Sequence, residues 1–265
     1  MNRIGINYSK DLGLSPEEAL PLFSSLRFGA FFTEYDGADA SVERFAVLAQ
    51  ENGLIYESLH APFGHINDLW SDSLEGDDME RELADTVRAA SRSGIPFVVL
   101  HLSSGDGAPP VCDAGRRRID RLVSLAVSRR VTLAFENQRK LANLAFVLEL
   151  YRDCENVGLC WDVGHEKCFA GGREFVPLFP GKLVCTHIHD NDCVPQGDLH
   201  MIPFDGRIDF RRTAHHLRGF AGTLMLELFP SFSGRYGAMS PESFVTRARD
   251  AVCRLRDLVE EERAN

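Results

Sequence analysis

Short apolar runs of β type alternate with amphipathic helical stretches along the chain. The runs are RIGINY (3–8), AFFTEY (30–35), IYESLHA (55–61), FVVLHLS (97–103), TLAFENQ (132–138), VGLCWDV (157–163), LVCTHIHD (183–190) and TLMLELF (223–229). Most are apolar nearly throughout, as strands buried on both faces are. Between them the apolar spacing turns helical. SPEEALPLFSSL has Ser15 as N-cap, Pro16 at the first helical position and Glu18 three residues after the cap, which predicts a capping box. SVERFAVLAQENG predicts a helix capped by Ser41 and stopped at Gly53. Helices are also predicted over 75–93, 116–130, 141–154, 210–220 and 240–263. The sixth is weak, a short Pro-containing stretch at 174–181.

Eight strands alternating with helices imply a parallel sheet with crossover helices. An open doubly wound sheet would usually carry a Gly-rich phosphate loop after an early strand. No G-x-G-x-x-G and no Walker A sequence occurs. Eight units in 265 residues therefore predict an α/β chain folded as a single (β/α)₈ barrel, the architecture known as a TIM barrel, with little length left for another domain.

Composition narrows the function. The apolar fraction of 44% and charged fraction of 26% are those of a globular chain and exclude disorder. Asp and Glu number 39 against 29 Lys and Arg, a formal charge of -10 that disfavours attraction to nucleic acid or an anionic membrane. The N-terminus MNRIGINYSKD has no apolar signal core, and FVVL is far too short to span a bilayer. The seven Cys are odd in number and make no C-x-x-C; several sit in apolar runs. They read as reduced core thiols, so a cytoplasmic location is expected.

In a barrel the chemistry sits at the C-terminal ends of the strands. His60 ends the third strand, His101 is near the end of the fourth, and Glu136 near the end of the fifth. Asp162 and His165 close the sixth, His187, His189 and Asp190 the seventh, and Glu227 is near the end of the eighth. Metal-ligand residue types thus occupy six consecutive strand ends, while only His215 and His216 fall in a helix. Glu136 and Glu227 are carboxylates inside apolar strands, where an ionised group needs a partner. Only Arg139 and Lys140 follow Glu136, and no basic residue lies within seven positions of Glu227. A metal ion is the more economical counter-charge.

Other features leave two readings open. Asp162-Val-Gly-His165 reads as a strand-to-loop turn in which Gly164 lets the carboxylate and imidazole converge. His187 and His189 share a strand face by period two, and Asp198 and His200 do so if their loop is extended; each pair suits a ligand or a hydrogen-bonded structural role. His60 and His101 are either ligands or orienting groups. Phe63, Trp70 and Trp161 are either a substrate wall or packing. The loop SSGDGAPP (103–110) is either a surface loop or a phosphate cradle. Arg116, Arg117 and Arg118 read as a solvated face at the start of a helix.

The segments SLHAPF, VVLHLSSG, LAFENQ, WDVGH, HIHDND, DLHMIPFDGRIDF and LMLELFP, in this order and spacing, resemble the xylose-isomerase-like barrel superfamily. It includes sugar isomerases and epimerases and the endonuclease IV type of abasic-site nuclease. The resemblance covers nearly the whole chain and implies that residues 1–265 form one such barrel domain. It implies that Glu136, Asp162, His187 and Glu227 hold a divalent metal (zinc, manganese, magnesium or cobalt), with Glu136 and Glu227 as catalytic acid and base. It implies that His60, His101, His165, Asp198 and His200 bind substrate or, as in the nuclease, additional metal. Two activities follow. The first is a metal-dependent isomerase or epimerase of carbohydrate metabolism acting on a small sugar or sugar phosphate. The alternative is a zinc phosphodiesterase acting on abasic DNA. Family analogy also implies a homodimer. Three positions depart from the relatives. Cys193 stands where ketose 3-epimerases carry an Arg, Phe63 replaces a nuclease Tyr, and Phe204-Asp205-Gly206 replaces the usual Gly-x-Gly.

Overall fold

A computed structural model describes residues 1–171 and 173–264. Its eight parallel strands are β1 (Ile4–Asn7), β2 (Ala30–Glu34), β3 (Ile55–His60), β4 (Phe97–Leu100), β5 (Thr132–Glu136), β6 (Val157–Asp162), β7 (Leu183–His187) and β8 (Leu224–Leu226). They hydrogen-bond in the order β7-β6-β5-β4-β3-β2-β1-β8. Ile188 closes the ring: its N–H donates to Met225 O (2.8 Å), and its carbonyl accepts from Glu227 N (3.1 Å). The result is the (β/α)₈ barrel that the alternation predicts.

The helices are α1 (Pro16–Ser25), α2 (Asp39–Glu51), α3 (Leu74–Arg92), α4 (Asp113–Arg129), α5 (Leu141–Leu150), α6 (Val163–Phe169), α7 (Phe175–Leu178), α8 (Phe210–Leu217) and α9 (Pro241–Ala264). The capping box of α1 is present, with Ser15 N donating to Glu18 Oε2 at 2.9 Å. Helix α2 begins two residues before Ser41, whose hydroxyl instead donates to Asp36 Oδ2 (2.7 Å). Helix α4 starts at Asp113 rather than at 116, capped by Cys112. Arg118 is not on a solvated face. It is buried and donates to the carbonyls of Leu69, Ser71 and Ser73 and to Asp77, tying α4 to the segment before α3.

The largest difference follows β6. The expected helix at 174–181 is the single turn α7. The helix that matters is α6, which starts directly at the strand end. Asp162 is its N-cap, accepting from His165 N at 2.6 Å. Gly164 is therefore helical, and its role is close approach: a Cβ there would lie 1.9 Å from Cε1 of His189. Trp161 Nε1 and Phe175 N both donate to the buried Glu166 carboxylate (2.8 Å each), which fixes α6 against α7.

Strand alternation fills the interior in layers. Val99, Ala134, Cys160 and Cys185 pack as one cluster, and Ala30, Phe32 and Met225 as another. Most of these lie two residues before a polar strand end, so the apolar plug forms the floor on which the polar rim stands. The main core lies outside the strands, between sheet and helices.

Candidate metal centre

The strand ends, α6 and the loop after β7 bring nine sequence-predicted residues together, in groups whose donor atoms lie within 4.8 Å of one another. Glu136, Asp162, His187 and Glu227 make one; His60, His101 and Glu136 make another; His165, Asp198 and His200, joined by His189, make a third. Glu136 is shared by the first two. Its Oε2 lies 3.2 Å from Nε2 of His60 and of His101, and 3.4 Å from Nδ1 of His187. Its Oε1 lies 2.9 Å from Nδ1 of His165. Glu227 Oε2 is 3.4 Å from the same His187 nitrogen. Asp198 Oδ2 lies 3.1 Å from His165 Nε2 and 3.3 Å from His200 Nε2.

Backbone carbonyls orient several imidazoles. Nδ1 of His60 faces Ala61 O (2.9 Å), and Nδ1 of His200 faces Glu227 O (3.1 Å). A proton held on Nδ1 by such a carbonyl leaves the Nε2 lone pair directed into the site, the arrangement found behind metal-bound histidines. Asn137 fixes Asp162 from both sides, donating to its carbonyl and accepting from its N–H (2.9 and 2.8 Å).

Several buried polar atoms have no hydrogen-bond partner: Asp162 Oδ2, Asp198 Oδ1, His189 Nδ1 and both nitrogens of His187. Unpaired buried polar atoms are costly, and these belong to residues of the donor groups. A set of carboxylates and imidazoles with those atoms unmatched fits divalent cations.

Charge interactions shift the titration of the site in the metal-free protein. Burial pushes the Glu136 carboxyl up, but the surrounding His101, His187 and His165 outweigh it and hold the group well below the usual carboxylate range. Burial, with the Glu136 and Asp162 charges pushing the same way, drives Glu227 well above that range. Burial lowers His165, yet Asp162, Asp198 and Glu136 together raise it well above the ordinary imidazole value. His101 is lowered to about 4, mainly by burial. The two central glutamates are thus shifted in opposite directions, Glu136 down by its imidazoles and Glu227 up by burial and the neighbouring carboxylates.

Some features escape the sequence reading. His189 donates from Nε2 toward Asp162 Oδ1 (3.1 Å) and stacks on His200 with ring centroids 4.0 Å apart. Its spacing from His187 was the available signal, but β7 ends at His187, so the two imidazoles serve different groups. Gln138, two residues after Glu136, places its amide nitrogen 3.0 Å from His165 Nδ1 and 3.2 Å from His101 Nε2. Trp70 and Trp161 are packing residues; their Nε1 atoms donate to Leu102 O and to Glu166. Of the three aromatic candidates only Phe63 lines the cavity, joined by Phe169, Phe229 and Phe232, around a volume of about 520 Å³ that opens on the donor groups. His65 is exposed. Asn67 braces the 103–110 loop through both the N–H and the carbonyl of Ser104 (2.9 and 2.8 Å).

The loop between β7 and α8 carries Asp198 and His200 in strained backbone. Among the described residues, four of the six non-glycine residues with left-handed φ lie here: Cys193, Gln196, His200 and Phe204. Buried Asp190 organises the loop by accepting from the N–H groups of Asn191, Gly206 and Ile208. A Cβ at Gly206 would lie 2.5 Å from Asp190 Oδ1. Phe204 adopts φ 72 and is held by packing on Phe210 and under Arg254.

The sequence matches the xylose isomerase-like TIM barrel family over residues 20–247. The chain belongs to that family. A relative, the uncharacterized protein y4fM of Sinorhizobium fredii, is 27% identical over 260 residues, covering 86% of this chain and 82% of its own. Among solved structures, an L-ribulose 3-epimerase superposes with TM-score 0.77 at 20% identity, covering 100% of this chain and 96% of its own. The 3-keto-D-glucoside 4-epimerase YcjR of E. coli superposes with TM-score 0.74 at 16% identity, covering 97% and 100%. Members of this xylose isomerase-like fold thus include epimerases that act at different sugar carbons. No helix among the described residues is long and apolar enough to cross a membrane.

Proposed function

We propose that this xylose isomerase-like chain is a divalent-metal-dependent isomerase or epimerase of a small sugar or sugar phosphate. The observation that carries the reading is the pairing of Glu136 and Glu227 at one histidine. Glu136 arrives from β5 and Glu227 from beyond β8, and each lies 3.4 Å from His187 Nδ1. Glu136, Asp162, His187 and Glu227 would hold the cation, whose chemistry when bound is to polarise a carbonyl and the neighbouring hydroxyl. One glutamate removes the proton from the carbon beside the carbonyl, and the other returns it. His165 orients a hydroxyl, while His60 and His101 bind the remaining sugar oxygens. The phenylalanine rim limits water and suits a compact ligand; about 520 Å³ is in the small-molecule range. The epimerases of like fold support the same class.

One observation favours a second reading. The three donor groups, two of them sharing Glu136, also suit a zinc cluster that hydrolyses a phosphodiester. The formal charge of -10 argues against a DNA duplex as its substrate. Two measurements on the purified protein test the choice. Metal analysis should give one ion per chain, and the metal-loaded protein should introduce solvent deuterium at one carbon of a ketose. Absence of exchange across a broad sugar panel would overturn the isomerase reading. Three zinc ions with cleavage of an abasic duplex would establish the other. A small sugar substrate, a homodimer and a cytoplasmic location are part of the proposal.

A further inference from the structure

The cavity above the donor groups is rich in carboxylates and imidazoles. Asp11, Glu34, Glu136, Asp198 and Glu227 line it, against a single guanidinium among its described lining residues, that of Arg139. A side chain of this type on a surface ordinarily moves freely, but this one is held in place. Its guanidinium carbon lies 3.6 Å over the centre of the Phe169 ring. Nε and Nη2 donate to Gln196 Oε1 at 3.0 and 2.8 Å. The nearest carboxylate, Asp106, is 3.7 Å away and largely exposed; Gln196 Nε2 donates to it at 3.3 Å. Loops following β4, β5 and β7 therefore meet at Arg139, and its Nη1 makes no hydrogen bond to any described residue. Ser104, in the small-residue loop after β4, lines the same cavity.

We infer that Arg139 anchors an anionic group of the substrate, so that the sugar carries a phosphate or a carboxylate at the end remote from His187. This rests on the isomerase reading and names its substrate class. A planar, permanently charged fork fixed by stacking is a receptor for such oxygens.

The test is calorimetric binding to the full, metal-loaded chain. The probes are D-ribulose 5-phosphate and D-fructose 6-phosphate, the sugar acid D-fructuronate, and the neutral parents D-ribulose and D-fructose. The wild type should bind at least one anionic sugar about tenfold or more tightly than its neutral counterpart. Whether phosphate or carboxylate gives that preference identifies the group. Arg139→Gln should bring the ratio to within about threefold. Phe169→Leu, which keeps the charge and removes the stack, should lower it by a smaller factor. Melting curves verify that each variant is folded, and the Phe169 variant keeps the test decisive should Arg139→Gln be unstable. A preference that survives both substitutions overturns the role of Arg139. Equal binding of neutral and anionic sugars, with deuterium exchange on the neutral one, overturns the anion anchor and leaves the isomerase reading standing. Binding of neither class overturns both.

Discussion

Glu57 and Glu136 are carboxylates buried inside strands of the same barrel, one low on β3 and one at the C-terminal end of β5. Glu57 is the extra residue of a β-bulge: Phe31 pairs with Tyr56 and Phe32 with Ser58. It accepts from the Thr223 hydroxyl and lies 3.6 Å from Arg3, and burial raises it above the ordinary carboxylate range. Glu136 is more deeply buried yet is held well below that range by the imidazoles around it. The lower end of the barrel handles its acid with a hydrogen bond from Thr223 and the nearby Arg3 guanidinium. The upper end gathers acids and imidazoles in a density that leaves atoms of Asp162, His187 and Asp198 unpaired. Burial of a carboxylate is thus not itself a sign of function. Convergence of several with unmatched lone pairs is, and a bound cation would resolve it.

Substitutions at the two ends should separate them, beginning with the largest effect. Glu136→Ala removes a donor from two groups at once; turnover should fall by about 10³-fold or more and bound metal should drop in elemental analysis. Retained metal and activity would place the upper end on the same footing as the lower. Chelation should come next. A cation bound at about a thousandfold above its Kd stabilises the fold by about 4 kcal/mol, so stripping it should lower the melting temperature, and re-addition should restore it. The Glu57→Gln protein should show the same chelator response as wild type, because Glu57 belongs to none of the donor groups.

Gly164→Ala is expected to cost about 1–3 kcal/mol in denaturant melts and to weaken metal binding, since the new methyl meets the His189 ring. At an exposed helical glycine the same change would gain up to about 1 kcal/mol, so the sign reports the close approach. Glu57→Gln should have the smallest effect, within about 1 kcal/mol at neutral pH. Its sign follows from linkage. A carboxyl raised in the fold contributes stability that is fully present below the unfolded-state value and lost as pH rises through the folded one. The variant should therefore lose less stability than wild type over that rise, with melts across pH 4–8 as the measurement, and a parallel decline in both proteins would show that Glu57 is not its source.

Much of this organisation is legible in the residues. Eight apolar runs fix strand number because each strand is buried on both faces. The His, Asp and Glu at the ends of six consecutive runs mark the rim because ionisable groups do not enter a core without a purpose. Less legible is α6. Its first turn looks like a loop because Asp162 serves as strand end, helix cap and proposed ligand together. Arg118 reads as solvated because the carbonyls it binds lie more than forty residues earlier. The role of His189 is hidden because the strand stops two residues before it.

The sequence alone determined the barrel, the end of it that bears the chemistry, and the residue types gathered there, since hydrophobic period and strand direction are local properties. Tertiary structure decided which of those residues share a donor group, which aromatic rings face the cavity rather than the core, and that Arg139 turns toward Phe169 and Gln196. Those outcomes depend on loops that meet across the barrel mouth, and the distance between them is set by packing of segments far apart in the chain.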